Sequence, residues 1–152
     1  MADPGPAGDA DLRWLGLACD LARRCPPSAT AFSVGAVVVG PDGRELARGF
    51  SRQDDPVAHA EEAALAGLAA VPAGSTIYSS LEPCGRRASR PRPCARLILD
   101  AGIGRVVFAW REPSLFVEGA GAELLRAAGV DVVEIPELAG PARAPNRHLL
   151  DG

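Results

Sequence analysis

The chain contains no lysine: its sixteen basic residues are all arginine. Schiff-base catalysis, a lysine general base and a lysine-dependent phosphate loop are therefore excluded, and any anion must be held by guanidinium groups. Excess charge is also missing. Nineteen acids against sixteen arginines leave a net charge of -3, which argues against a protein that binds nucleic acid over its whole surface. No run approaches the 18 or so uninterrupted apolar residues of a membrane helix, so no membrane partner is expected. Met1 to Asp9 lacks the basic and apolar regions of a signal peptide and reads as a frayed tail of a cytoplasmic protein. Cysteine is sparse: Cys19, Cys25, Cys84 and Cys94 are the whole set. In a reducing compartment such cysteines bind metal or stay inert rather than pair.

What is present fits one domain, because 152 residues is an ordinary allotment for a single core. Leu12, Leu15, Leu17, Ala18 and Leu21 recur at helical spacing and predict a helix from Asp11 to about Arg24, stopped by Pro26-Pro27. Val34 to Val39 is a β-branched run, Gly40-Pro41-Asp42-Gly43 a turn, and Glu45 to Phe50 a second strand, together a hairpin. His59 to Ala70 predicts a helix with Glu61 and Glu62 in its first turn, where the dipole favours acids. Strands at Thr76 to Ser80, Arg105 to Ala109 and Val130 to Val133 alternate with helices at Cys94 to Ala101 and Ala122 to Ala128. That order predicts a mixed sheet, an antiparallel hairpin plus parallel strands, covered by helices on both faces. The expected division is a frayed tail over 1–10, one domain over 11–135 and a Pro-rich extended tail over 136–152.

His59 and Glu61 open one helix, while Pro83-Cys84 and Pro93-Cys94 bracket the loop leading into the next. One imidazole and two thiolates suit tetrahedral Zn2+ with a fourth position open to water, the catalytic rather than the structural arrangement. Zinc lowers the pKa of bound water from 15.7 to about 7. Glu61 lies too close in sequence to His59 for a comfortable fourth ligand, and is placed to exchange protons with that water. The alternatives are a structural zinc site, and a Glu61 that merely serves the helix dipole.

The combination His59-x-Glu61 with Pro83-Cys84 and a second cysteine resembles the zinc-dependent nucleobase deaminases, whose usual signature is His-x-Glu followed by Pro-Cys-x-x-Cys. Here nine residues separate the two cysteines. That long loop, preceded by Leu81-Glu82, is similar to the deaminase domain of the bifunctional riboflavin-biosynthesis deaminase/reductase. Val34-Gly35-Ala36-Val37-Val38, Ala101-Gly102-Ile103, Arg105-Val106-Val107 and Gly119 to Val132 extend the resemblance over Leu12 to Val133.

The resemblance implies a cytidine-deaminase-like three-layer α/β/α sandwich with a five-stranded mixed sheet, and a homodimer or homotetramer. It implies hydrolytic release of ammonia from an aminated pyrimidine or related heterocycle, with the phosphoribosylated diaminopyrimidinone of riboflavin synthesis as first choice. Guanine, cytosine or cytidine is the main alternative; a tRNA adenosine deaminase and a non-catalytic zinc accessory domain rank lower. Backbone N–H groups around Ala60 and Cys84 are expected to hold the tetrahedral intermediate.

The positions expected to read the substrate depart from the family pattern. Thr30-Ala31-Phe32 stands where the family has Pro-Asn-Pro. Ser51 replaces the histidine of its Gly-x-His, and Glu112-Pro113-Ser114 its Asp-Pro-Asn. Phe32 and Ser51 are therefore candidate pocket residues in altered form. Arg86, Arg87, Arg90 and Arg92 crowd the loop between the cysteines, and Arg90 is the best candidate to grip a substrate phosphate. Cys19 reads as a small buried hydrophobe, Cys25 has no assigned role, and His148 reads as solvated.

Overall fold

The computed structural model describes residues 8–84, 93–111 and 121–150. Five strands form one mixed sheet in the order β2-β1-β3-β4-β5. They are β1 (Gly35–Val39), β2 (Glu45–Phe50), β3 (Thr76–Leu81), β4 (Arg105–Trp110) and β5 (Asp131–Glu134). β1 pairs antiparallel with both β2 and β3, while β3–β4 and β4–β5 are parallel. The mixed sheet expected from the element order is the one observed, with helices on both faces.

The two faces follow from the pleat. On one, Ala36 and Val38 of β1, Ile77 and Leu81 of β3 and Val106 of β4 pack on Ala60 and Ala64, Ala95 and Ile98, and Leu125. Those residues belong to α2 (Ala60–Ala66), α3 (Cys94–Ala101) and α4 (Gly121–Ala127). On the other, Val37, Val39, Tyr78 and Val107 meet Leu15, Ala18 and Leu21 of α1 (Asp9–Ala22) and Ala142 of α5 (Ala139–Arg143). β1 is buried along its whole length, which is why it reads as a continuous apolar run. Gly49 lets α2 lie directly on β2, since a Cβ there would sit 2.6 Å from the Ala64 nitrogen. α1 is anchored by a bidentate pair: Arg105 donates to both Asp11 carboxylate oxygens at 2.8 and 2.7 Å, and the Tyr78 hydroxyl donates to the same carboxylate at 2.6 Å.

The C-terminal segment differs from expectation. Residues 136–150 are not an extended tail. They form a 3-10 turn at Pro136–Leu138, α5, a second turn at Ala144–Asn146, and α6 (Arg147–Leu150). Each piece is three to five residues long, too short to show a helical period, and Pro136 and Pro145 sit at turn starts where a missing N–H costs nothing. Order comes from packing: Ala142 and Asn146 are fully buried. At the other end α1 begins at Asp9, inside the expected frayed tail. α2 stops at Ala66 rather than Ala70. Among the described residues, no helix is long and apolar enough to cross a membrane.

Candidate metal centre and its buried carboxylate

His59 is the N-cap of α2, and Cys94 opens α3 with Pro93 as its N-cap. Cys84 lies three residues past Leu81, the last residue of β3. Both helices therefore start at the C-terminal end of β3, and their first residues converge. His59 Nδ1 lies 3.6 Å from Cys84 Sγ and 3.3 Å from Cys94 Sγ, and one donor atom from each of the three falls within 4.8 Å of the others. A tetrahedral zinc with bonds of about 2.0 Å to nitrogen and 2.3 Å to sulfur has nitrogen–sulfur edges of about 3.5 Å, so the spacing fits that ion. All three donors suit it, and neither cysteine is in a disulfide. Among the described residues this is the single cluster of its kind. Cys19 and Cys25 lie outside it. The Cys19 thiol is buried among the α1 contacts, and that burial pushes it up to about 11.

Backbone and side chains prepare the thiolate. The Cys94 amide donates to Cys84 Sγ at 3.2 Å, and Ala95 N donates to the Cys84 carbonyl at 3.0 Å. The Cys84 thiol is drawn down to about 4, first by the hydrogen bond from the Cys94 side chain. Burial opposes this, while His59 and the Cys94 amide add to it.

The two adjacent acids of α2 have separated roles. Glu62 accepts a hydrogen bond from the His59 backbone N–H at 3.3 Å, the reciprocal half of a capping box. Glu61 turns inward and is 3% exposed. Burial holds its carboxyl above the usual carboxylate range; the charge of His59 opposes the rise and that of Cys84 reinforces it. Both acids lie in the first turn of α2, and Glu62 is the one that closes on the N-cap. Ser79 of β3 was not singled out by sequence: its hydroxyl donates to Glu61 Oε2 at 2.9 Å and lies 2.7 Å from the Leu81 carbonyl. The available signal was a hydroxyl in the inward row Ile77, Ser79, Leu81 of a central strand.

Ala60 is fully buried at the first turn of α2. Ser51 is buried too, and its hydroxyl is engaged with the Val34 backbone: it accepts from Val34 N at 3.0 Å and lies 3.4 Å from Val34 O. Phe32 sets its ring edge-on to Trp110 with centroids 5.3 Å apart, and the Arg143 guanidinium stands 5.9 Å from the Trp110 ring. Arg52, at the left-handed φ of 61°, secures the loop before β1 by donating to Pro26 O, Phe32 O and Ser33 Oγ. Arg90, Glu112 and Ser114 lie outside the described residues.

Residues 9–110 match the family model described as the cytidine and deoxycytidylate deaminase zinc-binding region. A diaminohydroxyphosphoribosylamino-pyrimidine deaminase from Schizosaccharomyces pombe is 37% identical over 118 residues, 74% of this chain and 29% of that protein. The structure of Acinetobacter baumannii RibD, form 2, superposes with a TM-score of 0.80 at 32% identity, covering 93% of this chain and 39% of the other. A C-terminal deletion mutant of Aspergillus oryzae Rib2 deaminase at pH 4.6 gives 0.75 at 26% identity, over 95% of this chain and 100% of the other. The chain spans about a third of the length of the curated relatives it matches.

Proposed function

The chain belongs to the cytidine and deoxycytidylate deaminase family, with the cytidine-deaminase-like fold, and from that footing we propose that it is a zinc-dependent hydrolytic deaminase of an aminated heterocycle. The observation that carries the reading is the buried Glu61 carboxyl, set in the first turn of α2 two residues past His59 and within the electrostatic reach of both His59 and Cys84. His59 Nδ1, Cys84 Sγ and Cys94 Sγ would hold the zinc, which when bound supplies an acidified water and polarises the substrate. Cys84 is already disposed to be a thiolate, so little free energy is needed to deprotonate it on metal binding. Glu61 takes the proton of the attacking water and delivers protons to a ring nitrogen and to the departing amine, so that water replaces ammonia on the ring carbon. The first turn of α2 at Ala60 and the amides near Cys84 provide donors for the developing oxyanion.

The first choice of substrate is the diaminohydroxyphosphoribosylamino-pyrimidine that names the Schizosaccharomyces pombe relative. Arg90 grips its phosphate in this reading. Arg90→Ala then raises KM for the phosphorylated substrate and spares the unphosphorylated analogue; equal effects on both remove Arg90 from the site. A cytoplasmic location fits four cysteines of which none is in a disulfide. A homodimer or homotetramer completes the proposal, and a single monomeric boundary in sedimentation at micromolar concentration would remove that part.

The deciding assay is ammonia release against aminopyrimidines, purines and their nucleosides and nucleotides, with zinc measured alongside. The expected result is release from at least one member, one zinc per chain, and a loss of about 10²- to 10⁴-fold in Glu61→Gln. No release from any member together with substoichiometric zinc rejects the reading.

A further inference from the structure

We propose that Ser79 is a positioning residue for the reaction: its hydroxyl ties one oxygen of the Glu61 carboxyl and so fixes the other where the proton exchange occurs. This rests on Glu61 being the proton-transfer group. Ser79 occupies the centre of the sheet, opposite Ala36 of β1 and Phe108 of β4, and is fully buried. Its strand neighbours on the same face, Ile77 and Leu81, are apolar and pack against α2 and α3. A hydroxyl in that row is unfavourable unless bonded, and an apolar side chain would pack there without any such requirement.

The hydroxyl has two partners. Glu61 Oε2 accepts at 2.9 Å, and the Leu81 carbonyl lies 2.7 Å away. One proton cannot serve both at once, but a hydroxyl also accepts, so the tether holds whether or not the carboxyl carries its proton. The Leu81 carbonyl is itself placed by the strand, whose Leu81 pairs with Trp110 of β4, and the next amide, of Glu82, donates to the Trp110 carbonyl at 2.8 Å. Glu61 is thereby bound through Ser79 to the central strand of the sheet. Without the tether the carboxyl keeps its burial and the hydrogen bond from its own backbone N–H but loses its hold on the sheet, and misplacement of about 1 Å in a reacting group costs up to about 10²-fold in rate.

The test compares wild type, Ser79→Ala and Ser79→Thr, which restores the hydroxyl in a strand position that tolerates β-branching. For Ser79→Ala we expect kcat to fall roughly 10- to 100-fold with KM and zinc content unchanged, and recovery of most of the loss in Ser79→Thr. Crystal structures of the metal-free proteins supply a readout independent of turnover: one Glu61 rotamer in wild type and Ser79→Thr, and a displaced or divided carboxyl in Ser79→Ala. An active wild type with unchanged kcat in Ser79→Ala overturns the proposal, as does an unmoved carboxyl. If wild type releases no ammonia from any substrate, the deaminase reading fails, and the Glu61 position still decides whether Ser79 holds it.

Discussion

The side chain of Asn146 closes a two-way bond with the backbone of Ser33, accepting from its N–H at 2.6 Å and donating to its carbonyl at 2.9 Å. One residue near the end of the chain thus takes the place of a strand partner for the loop before β1, the loop that carries Phe32. Removing the amide leaves a buried donor and a buried acceptor without partners. Asn146→Ala is expected to cost about 2 kcal/mol, read as a thermal midpoint lower by roughly 2 to 4 °C per kcal/mol. A midpoint within 1 °C of wild type, at about the noise of that scale, would show that the segment is only draped over the loop.

Alkylation separates the cysteines. With metal removed by a chelator at pH 6.5, Cys84, drawn down to about 4, is a thiolate and is expected to react first with iodoacetamide. Cys19, pushed up to about 11, is a neutral thiol at that pH and should stay unmodified in the folded protein. Added zinc should protect Cys84. Peptide mass spectrometry reads the order, and equal labelling of Cys19 and Cys84 would contradict it.

The Asp11–Arg105 pair predicts a specific acid sensitivity. The Arg105 hydrogen bond, opposed by burial and helped by Tyr78, lowers the Asp11 carboxyl from 3.8 to about 2. A folded-state value below the unfolded one stabilises above about pH 4, and that contribution disappears as pH falls toward 2. Its size is on the order of 1–2 kcal/mol after allowance for solvent screening. Urea midpoints of wild type and Asp11→Asn should differ at pH 5, and the gap should narrow steadily as pH falls from about 4 to about 2. A constant gap would place the acid sensitivity elsewhere.

Two glycines offer a matched pair. A Cβ on Gly121 would run into the Pro83 carbonyl, whereas one on Gly140 meets nothing within 4 Å. Gly121→Ala must push α4 away from the segment leading to Cys84, so a loss of about 3 kcal/mol and weaker zinc retention are expected. Gly140→Ala should be neutral, or stabilising by up to about 1 kcal/mol through helix propensity. Calorimetry with metal analysis checks both, and a Gly121→Ala protein indistinguishable from Gly140→Ala would sink the packing argument.

The three candidate ligands were legible because His59 and Cys94 sit where helices begin, Cys84 follows a strand end, and a proline precedes each cysteine. The mixed sheet was legible for a similar reason: hairpin and crossover lengths restrict strand direction. The helical pieces after Pro136 were not, since segments of three to five residues carry no period and their order depends on Ala142 and Asn146 being buried by α1, the sheet and the loop at Ser33. Glu61 and Glu62 were equivalent as sequence, two acids in one helical turn. Side-chain direction decided between them, because α2 lies flat on β2 at Gly49 and sends one carboxyl to the interior and the other back to its own N-cap.

By itself, then, the order of residues determined the candidate donor set, the strand and helix types before Pro136 and the direction of the chain through the sheet, which follow from local spacing and backbone preference. Only the tertiary structure decided that Ser79 bonds Glu61, that Asn146 closes on Ser33 and that the Ser51 hydroxyl is engaged with backbone. These partners lie 17 to 113 residues apart. Their meeting depends on how tightly helices pack on the sheet, a property of complementary surfaces that no local pattern encodes.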